Sequence, residues 1–381
     1  MAEIKVELAE NSYPIIIGSK ILAGFSSVLK KEKLDVGGRV ALVTNPVVER
    51  LPWFKGFYDR LAHSGFKVNL AIVPSGREYK RHPDLERFKS NKMVMRLYDE
   101  FLKNKLDRTS LVIAVGGGTT GDLAGFAAST YMRGINLVHI PTTLVGQVDS
   151  SIGGKTAINL PRAKNLAGTF YQPKLVYADI DLLKTLPPRE LRCGFSEVVK
   201  YGVIEDRPLF DYLEKDVQAV RDIIAVKSWS RHGRFLLNVI TRCCRIKAEV
   251  VKQDELETKG LREILNYGHT VGHGLETAGR YKKLHHGEAV SIGMVAAGRI
   301  AESIGLLKKR DLLRQIGLLE AIGLPTTIGS LNIGRITKAI MLDKKSRGKT
   351  LRFILPRAIG RVIVSDKVSV KLIEKVLRQM R

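Results

Sequence analysis

Cysteine is scarce in this sequence, and uninterrupted apolar runs are missing. Among 381 residues there are three cysteines, Cys193, Cys243 and Cys244, so neither a disulfide framework nor a zinc-binding cysteine spacing is present. The most apolar stretch, residues 289–307, is broken by charged residues, whereas a membrane span needs about 18 consecutive apolar ones. The first ten residues lack the basic-then-apolar order of a signal peptide. We therefore expect a cytoplasmic protein with no membrane partner.

Acidic residues are few relative to basic ones. Lys and Arg total 63 against 38 Asp and Glu, which gives a formal net charge of +25. Such an excess fits nucleic-acid binding, an anionic small substrate or a generally basic background. The basic residues are spread along the chain, with no aromatic-interleaved basic stripe and no zinc-finger signature. We therefore predict an anionic small substrate and no nucleic-acid partner.

Short runs rich in β-branched residues alternate with helical segments in the first half of the chain. These runs cover residues 40–43, 68–73, 111–115 and 137–140. The alternation predicts an open α/β sheet of parallel strands. Two earlier segments, 4–8 and 14–17, predict a strand pair.

Helical patterns dominate after the two prolines at 187–188. Helices are predicted over residues 190–204, 219–225, 240–253, 261–278 and 288–304, followed by a hairpin of strands 351–355 and 361–364. We therefore predict an N-terminal α/β nucleotide-binding domain over residues 1–183 and a mainly α-helical domain over residues 184–381. The cleft between two such domains is the expected ligand site.

A glycine-rich turn follows the apolar run that ends at Val115. Residues 116–125 read GGGTTGDLAG and lead directly into a helical pattern. Glycines at such a turn let backbone N–H groups approach a pyrophosphate, whose charge the helix N-terminus favours. Because the spacing departs from GxGxxG, tight packing is an alternative explanation.

Residues 131–200 are unusually rich in polar side chains next to glycine or proline. They include Arg133, Asp149, Lys155, Lys164 and Asn165. Several cations near a phosphate-binding turn suit a substrate that bears phosphate and carboxylate groups. Glu197 and Lys200 follow three residues apart on a predicted helix, where they form either an intrahelical ion pair or part of a site.

The predicted helix 261–278 carries a polar stripe. Its members are Arg262, Asn266, His269 and His273, spaced four, three and four residues apart. Two histidines four residues apart can share a metal ion, and the His pair at 285–286 and Glu197 add ligands suited to Zn²⁺ or a similar ion. The spacing leaves open whether His269 and His273 both bind the ion or one of them transfers protons.

Five motifs, in this order, resemble the 3-dehydroquinate synthase family of sugar-phosphate cyclases. They are DSSIGGKTAIN, GFSEVVKYG, NYGHTVGHGLE, HHGEAVSIGM and DKKSRGKTLRFILP, and the resemblance extends over nearly the whole chain. It implies an N-terminal Rossmann-like domain and a mainly α-helical C-terminal domain, bound NAD, a divalent ion such as Zn²⁺ or Co²⁺, and a homodimer.

The resemblance also implies roles for individual residues. The metal ligands would be Glu197, His269 and His286, which leaves His273 to contact substrate or transfer protons. The NAD site would comprise Gly116, Gly117, Gly118, Asp122, Thr142, Thr143, Asp149, Lys164 and Asn165. The substrate would be held by Arg133, Lys155, Asn165, Lys200, Lys247, Arg262 and Asn266. A lysine-bearing loop near residues 344–349 would approach the same pocket.

One departure concerns the nucleotide site. The family often has Gly-Glu-x-x-Lys there, whereas Gly76 is followed here by Arg77, Glu78, Tyr79 and Lys80. We expect Glu78 to act from the neighbouring position and Lys80 to retain its part in binding NAD. Arg77 bears on the preference between NAD and NADP.

The resemblance implies a carbon–oxygen lyase of the shikimate pathway of aromatic amino-acid biosynthesis. Such an enzyme converts 3-deoxy-D-arabino-heptulosonate 7-phosphate to 3-dehydroquinate and phosphate, through transient oxidation by NAD, phosphate elimination, re-reduction and aldol closure. The alternatives on the same scaffold are cyclases with inosose or valiolone products and metal-dependent polyol dehydrogenases. A dehydrogenase would release NADH, whereas the cyclase regenerates NAD.

Overall fold

The computed structural model describes residues 1–34, 37–82, 84–161, 163–226, 229–279, 284–346 and 351–381, with only the backbone for 343–346. The described residues form two compact units. Unit 1 comprises Met1–Leu186 and Leu236–Leu256, and unit 2 comprises Pro187–Phe235 and Glu257–Arg381. The segment Leu236–Leu256 therefore groups with unit 1, although the division predicted at residue 183 assigns it to the helical domain.

The strands of unit 1 form a seven-stranded sheet and a separate hairpin. They are β1 (Ala2–Val6), β2 (Tyr13–Gly18), β3 (Arg39–Thr44), β4 (Lys67–Ile72), β5 (Leu111–Gly116), β6 (Asn136–Pro141), β7 (Lys155–Leu160), β8 (Ala163–Phe170) and β9 (Leu175–Asp179). The sheet order is β1-β2-β9-β6-β5-β3-β4, antiparallel between β1 and β2 and parallel elsewhere. The predicted parallel strands and strand pair are confirmed, whereas β9 and the β7–β8 hairpin were not predicted.

Helices cover both faces of this sheet. They are α1 (Phe25–Lys31), α2 (Pro52–His63), α3 (Gly76–Arg81), α4 (Asn91–Lys103) and α5 (Gly118–Thr130). One core contains Leu29 and Phe57 beneath α1 and α2, and the other contains Leu97 and Ala124 beneath α4 and α5. Burial on both faces explains why the central strands are continuously apolar rather than alternating.

Unit 2 is mainly helical. Its elements are α6 (Pro188–Ile204), α7 (Arg207–Lys215), α8 (Val217–Ile224), α10 (His269–Ala278), α11 (His286–Ser303), α12 (Lys309–Ile322), α13 (Ile333–Ser346), β10 (Phe353–Ala358), β11 (Arg361–Ser365) and α14 (Val370–Gln379). Helix α9 (Trp229–Gln253) is divided between the units, and its residues up to Phe235 belong to unit 2. The predicted late hairpin is confirmed by the β10–β11 pairing. None of the described helices combines the length and low charge that a membrane span requires.

The single helix predicted over residues 261–278 is wrong. The chain forms a 3-10 helix over Leu261–Asn266, and α10 starts only at His269. Gly268 lies between them with φ +80°, a left-handed conformation that glycine adopts without steric cost. A Cβ at Gly293 would lie 1.9 Å from the backbone oxygen of Gly268, so both glycines allow α10 and α11 to pack closely. The polar stripe is therefore split between two elements.

Candidate metal and nucleotide sites

Three side chains of unit 2 converge where a cation could bind. Glu197 lies in α6, and His269 and His286 are the first residues of α10 and α11. Their donor atoms all lie within 4.8 Å of one another. Oε1 of Glu197 is 3.6 Å from Nε2 of His269 and 3.5 Å from Nε2 of His286. Two ligands of one tetrahedral zinc ion lie roughly 3.4 Å apart, so the donor set fits Zn²⁺ or a similar ion.

Close helix packing brings these ligands together. A Cβ at Gly287 would lie 2.3 Å from the backbone oxygen of Cys193, so the first turn of α11 rests directly on α6. Glu197 follows Cys193 by one helical turn and therefore faces His286. Any larger residue at position 287 would push the two helices apart and separate these ligands.

The charge of Glu197 is balanced inside the protein. Its side chain is fully buried, and Nζ of Lys200, with a side chain only 1% exposed, lies 2.6 Å from Oε2. The intrahelical ion pair considered from the sequence is therefore present. Because Oε2 faces Lys200 and Oε1 faces the histidines, the same carboxylate can take part in both interactions.

The two ligand histidines differ in their protonation. Burial lowers the pKa of His269 to about 3. Burial also disfavours charge on His286, but hydrogen bonds with Glu197 and Glu276 outweigh it and raise the pKa of His286 to about 10. Metal ligation requires a neutral imidazole. His269 is therefore ready to bind an ion, whereas His286 must release a proton as the ion enters.

The tautomer of His269 follows from its neighbour. Nδ1 of His269 lies 3.2 Å from the backbone oxygen of Tyr267. A carbonyl oxygen only accepts hydrogen bonds, so Nδ1 carries the proton and Nε2 presents its lone pair towards Glu197. The break before α10 thus supplies both the position and the orientation of this ligand.

The other residues of the predicted stripe surround this group. His273 is exposed, and its ring centroid is 5.5 Å from that of His269 and 6.2 Å from that of His286. It belongs to a second, overlapping group of possible ligands with Glu276 and His286. Arg262 is buried in the 3-10 helix, with Asn266 at the end of that helix. The lysine-bearing loop expected near residues 344–349 lies outside the described side chains.

The glycine-rich turn of unit 1 joins β5 to α5. A Cβ at Gly117 would lie 2.8 Å from Cγ2 of Thr143, and one at Gly118 would lie 2.9 Å from Oγ of Ser150. The turn therefore packs against the segment after β6. Among the described residues no side chain caps the start of α5, so its first N–H groups are suited to an anion. The turn borders a small groove lined by Ala114, Gly116, Gly117, Gly118, Gly121, His139, Pro141, Gly146, Ser150 and Ser151.

Residues beyond β6 add polar groups on the same side of the turn. Thr142 is buried, and Oγ1 of Thr143 accepts a hydrogen bond from the N–H of Gly146 at 3.0 Å. Asp149 forms an ion pair with Lys247, whose Nζ also donates to the backbone oxygen of Asp149 at 2.6 Å. Lys247 lies on the part of α9 that belongs to unit 1. The structure thus brings together Asp149 and Lys247, which are distant in sequence.

Sequence reasoning missed Lys89. Its side chain is 4% exposed, and its ammonium group forms an ion pair with Asp122 and donates to Oδ1 of Asn165 at 2.5 Å. Burial raises the pKa of Asp122 to about 6, although Lys89 acts in the opposite direction. Lys89 therefore links the glycine-rich helix α5 to strand β8.

Glu86 contacts the same two elements as Lys89, helix α5 and the β7–β8 hairpin. Its Oε2 accepts a hydrogen bond from Oγ1 of Thr119 at 2.9 Å, and its Oε1 accepts one from Nδ2 of Asn159 at 2.8 Å. Nζ of Lys164 lies 4.0 Å from Oε1. Glu86 and Lys89 thus both contact α5 and the β7–β8 hairpin.

Glu78 and Lys80, predicted from the sequence for the nucleotide site, have different surroundings. Both residues lie on α3, where the Glu78 carboxylate accepts hydrogen bonds from Ser75 and pairs with Arg96. The bonds from Ser75 lower the pKa of Glu78 to about 2. Glu86 and Lys89 have the Glu-x-x-Lys spacing that Glu78 and Lys80 lack, which is the signal that could have found them. Glu86 and Lys89 are therefore further candidates for the nucleotide site, beside the predicted Glu78 and Lys80.

The remaining cations predicted for unit 1 are at the surface. Lys155 is the exposed first residue of β7, and Arg133 is exposed at the end of the 3-10 turn Tyr131–Arg133 with φ +67°. Asn165 also has a positive φ, +57°. Positive φ is uncommon outside glycine and marks positions worth testing for function.

The fold of an α/β unit with a glycine-rich turn and a mainly helical unit is shared with solved structures of cyclases and dehydrogenases. A glycerol dehydrogenase structure from Schizosaccharomyces pombe has this fold at 16% identity, with TM-score 0.64 over 96% of this chain and 88% of that chain. A structure of 2-deoxy-scyllo-inosose synthase complexed with carbaglucose-6-phosphate, NAD⁺ and Co²⁺ is nearer, at 26% identity and TM-score 0.84 over the whole of both chains. The structure of 2-epi-5-epi-valiolone synthase from Streptomyces hygroscopicus, with NAD⁺ and Zn²⁺ bound, matches at 27% identity and TM-score 0.85 over 98% of both chains. These likenesses confirm the predicted fold class.

Comparison of amino-acid sequences identifies the family within this fold. The model of the 3-dehydroquinate synthase N-terminal region matches residues 81–193, and that of the C-terminal region matches residues 194–346. The 3-dehydroquinate synthase of Picosynechococcus sp. is 44% identical over 378 residues, 99% of this chain and 98% of that protein. That of Desulforamulus reducens is 44% identical over 380 residues, the full length of both. The chain belongs to the 3-dehydroquinate synthase family, which confirms the resemblance seen in the five motifs.

Proposed function

We propose that this protein converts 3-deoxy-D-arabino-heptulosonate 7-phosphate to 3-dehydroquinate and phosphate. The observation that carries the proposal is the group Glu197, His269 and His286, whose donor atoms lie within 4.8 Å of one another. It occurs in a chain that is 44% identical over its full length to proteins named for this reaction. The proposed enzyme is a phosphate-eliminating carbon–oxygen lyase that depends on NAD and a divalent ion.

The donor chemistry supports both cofactors. Glu197, His269 and His286 would hold Zn²⁺ or Co²⁺, which when bound polarises an alcohol oxygen and orients the substrate. The glycine-rich turn, with Glu86 and Lys89, would hold NAD, which when bound supplies reversible hydride transfer. The uncapped start of α5 and the buried cation of Lys89 both suit the charge of a pyrophosphate.

Cationic residues suit a substrate with two anionic groups. In the proposal, Arg133, Lys155 and Lys247 compensate the substrate phosphate, and the buried Arg262 pairs with its carboxylate through a bidentate contact. Lys200, held beside Glu197, contacts a hydroxyl group. A phosphate ester beside several cations is a better leaving group, because the charge that develops on it is neutralised.

In the proposal, His273 transfers protons and Asn266 assists it. His273 is exposed on the turn of α10 after the ligand His269, and it is not part of the Glu197 group. An imidazole near neutral pH can both accept and donate a proton. Asn266 would orient a substrate hydroxyl group by hydrogen bonding.

The rival activities differ in their products. A polyol dehydrogenase would accumulate NADH in proportion to product, and other cyclases would take different sugar phosphates. The 26–27% identity to the inosose and valiolone synthases is well below the 44% identity to the 3-dehydroquinate synthases. We therefore favour the heptulosonate substrate. A homodimer is also proposed, and light scattering would test it.

The deciding experiment incubates purified protein with the heptulosonate phosphate, NAD and Zn²⁺ or Co²⁺. Phosphate, 3-dehydroquinate and NADH are measured in the same reaction. We expect equal amounts of phosphate and 3-dehydroquinate with no net NADH. Accumulation of NADH would indicate a dehydrogenase, and phosphate release from a hexose phosphate alone would indicate another cyclase. A reaction without metal, after chelator treatment, serves as the control.

A further inference from the structure

His286 has a carboxylate at each ring nitrogen. Nε2 lies 3.5 Å from Oε1 of Glu197, and Nδ1 lies 3.4 Å from Oε1 of Glu276. Glu276 is on α10, seven residues after His269, so both face the same side of that helix. The Glu276 side chain is 13% exposed. The ring of His286 is thus flanked by a possible fellow ligand on one side and by a different carboxylate on the other.

Two chemical explanations fit this arrangement. The first is a second cation held by His273, Glu276 and His286, whose donor atoms also lie within 4.8 Å of one another. The second is a hydrogen bond from His286 to Glu276. A neutral imidazole has one N–H and one lone pair, so it can bind one ion and donate one hydrogen bond. Two ions would require a doubly deprotonated ring beside two carboxylates, which makes the hydrogen bond the better explanation.

Packing alone does not fix the His286 ring. Its side chain is 41% exposed, whereas that of His269 is only 12% exposed and is also held by the backbone of Tyr267. An imidazole that is only partly buried can rotate and so exchange the positions of its two nitrogens. Some other contact must therefore keep Nε2 turned towards Glu197, and the structure offers the Glu276 carboxylate at Nδ1.

We propose that Glu276 is a positioning residue that accepts the Nδ1–H of His286 and thereby directs Nε2 to the ion shared with Glu197 and His269. This inference rests on the metal site of the proposed function, and it adds a residue outside the ligand set. Carboxylates that orient ligand histidines in this way raise the basicity of the ring and fix its tautomer. Glu276 would then orient His286 as the Tyr267 carbonyl orients His269, each by accepting the Nδ1–H of the ligand.

The test measures Co²⁺ binding in the absence of sugar phosphate and nucleotide. Metal-free protein is titrated with Co²⁺ against a competing chelator, and the visible absorption of the bound ion is recorded. We expect Glu276→Ala to weaken Co²⁺ binding by about 10- to 100-fold and to change the absorption bands. Glu276→Gln should stay within a few-fold of the wild type, because its amide oxygen can still accept the Nδ1–H.

A matched control is Glu302→Ala, which removes a carboxylate at the far end of α11 and should leave Co²⁺ affinity unchanged. If Glu276→Ala does not fold, Glu276→Asp replaces it, since the shorter side chain should lose the contact and bind Co²⁺ more weakly than Glu276→Gln. Wild-type affinity and spectrum in Glu276→Ala would overturn the proposal. So would two Co²⁺ ions per wild-type chain, one of them lost in Glu276→Ala. Because no substrate is present, a wrong substrate assignment would leave this result intact.

Discussion

The ammonium group of Lys89 is buried against the carboxylate of Asp122, on the first turns of the helix that follows the glycine-rich turn. It also donates to Asn165 on β8. Lys89, Asp122 and Asn165 are thus far apart in sequence but in contact in the proposed nucleotide site.

Replacing Lys89 by methionine should therefore weaken NAD binding. The change leaves the partly buried Asp122 without its cation, and loss of such a charged hydrogen bond costs about 2 kcal/mol of unfolding free energy. We expect NAD affinity to fall at least about tenfold, since the site loses a buried cation suited to the charge of the pyrophosphate. NAD binding by titration calorimetry and unfolding in urea measure the two effects.

Lys80→Met is the matched control for this prediction. Lys80 lies on α3, and its replacement should leave NAD affinity within about twofold of the wild type. A larger loss of NAD binding in Lys80→Met than in Lys89→Met would favour Lys80, the lysine predicted from the sequence.

Replacing His269 by alanine should abolish metal-dependent turnover while the chain stays folded. The change removes one of three ligands, so Zn²⁺ or Co²⁺ affinity should fall by more than about 100-fold, beyond the usual effect of outer contacts. His63→Ala, at the surface of α2, serves as the control. Unchanged metal affinity in His269→Ala would show that the ligand set has been assigned wrongly.

Replacing Lys155 by alanine should damage substrate handling and spare NAD. Loss of one charged hydrogen bond to phosphate corresponds to a decrease of about 10- to 100-fold in kcat/KM. The NAD dissociation constant, measured without substrate, should not change. Lys174→Ala, at an exposed position before β9, is the control. A selective loss of NAD binding in Lys155→Ala would contradict this role.

His139 should make the fold sensitive to acid. Burial on β6 lowers the pKa of this imidazole from 6.5 to about 4, so the unfolded chain takes up its proton at a higher pH than the folded chain does. Its contribution is fully present above pH 6.5 and is lost as the pH falls towards 4, by up to about 3 kcal/mol. Urea unfolding at pH 7, 6 and 5 measures the slope. His139→Gln should reduce that slope even if it lowers stability at every pH, whereas an unaltered slope would exclude His139 as its source.

The strands of the sheet could be predicted because their signal is local. β5 is apolar at every position since both of its faces are covered, and residues 40–43 of β3 follow the same rule. The edge strand β4 is only partly buried and was predicted from its β-branched residues. The convergence of Glu197, His269 and His286 was expected from a family resemblance, and spacing alone left the choice between His269 and His273 open.

Other features depend on contacts that spacing does not reveal. The end of the 3-10 helix before His269 is set by the approach of Gly268 to Gly293, which lies on another helix. Lys89 becomes recognisable only when the fold places it against Asp122, although its Glu-x-x-Lys spacing is visible in the sequence. The surface positions of Lys155 and Arg133 likewise follow from the three-dimensional structure.

The α/β unit is assembled from two stretches of chain, because Leu236–Leu256 returns to it after part of the helical unit has been made. During synthesis, this unit is complete only after residue 256 has left the ribosome, because the segment 236–256 includes Lys247, the partner of Asp149. A gene fragment that stops at residue 186 would encode an incomplete unit with an unbalanced carboxylate and an uncovered apolar surface. Separate expression of the two units therefore requires a rearranged gene in which the segment 236–256 is joined to the N-terminal fragment.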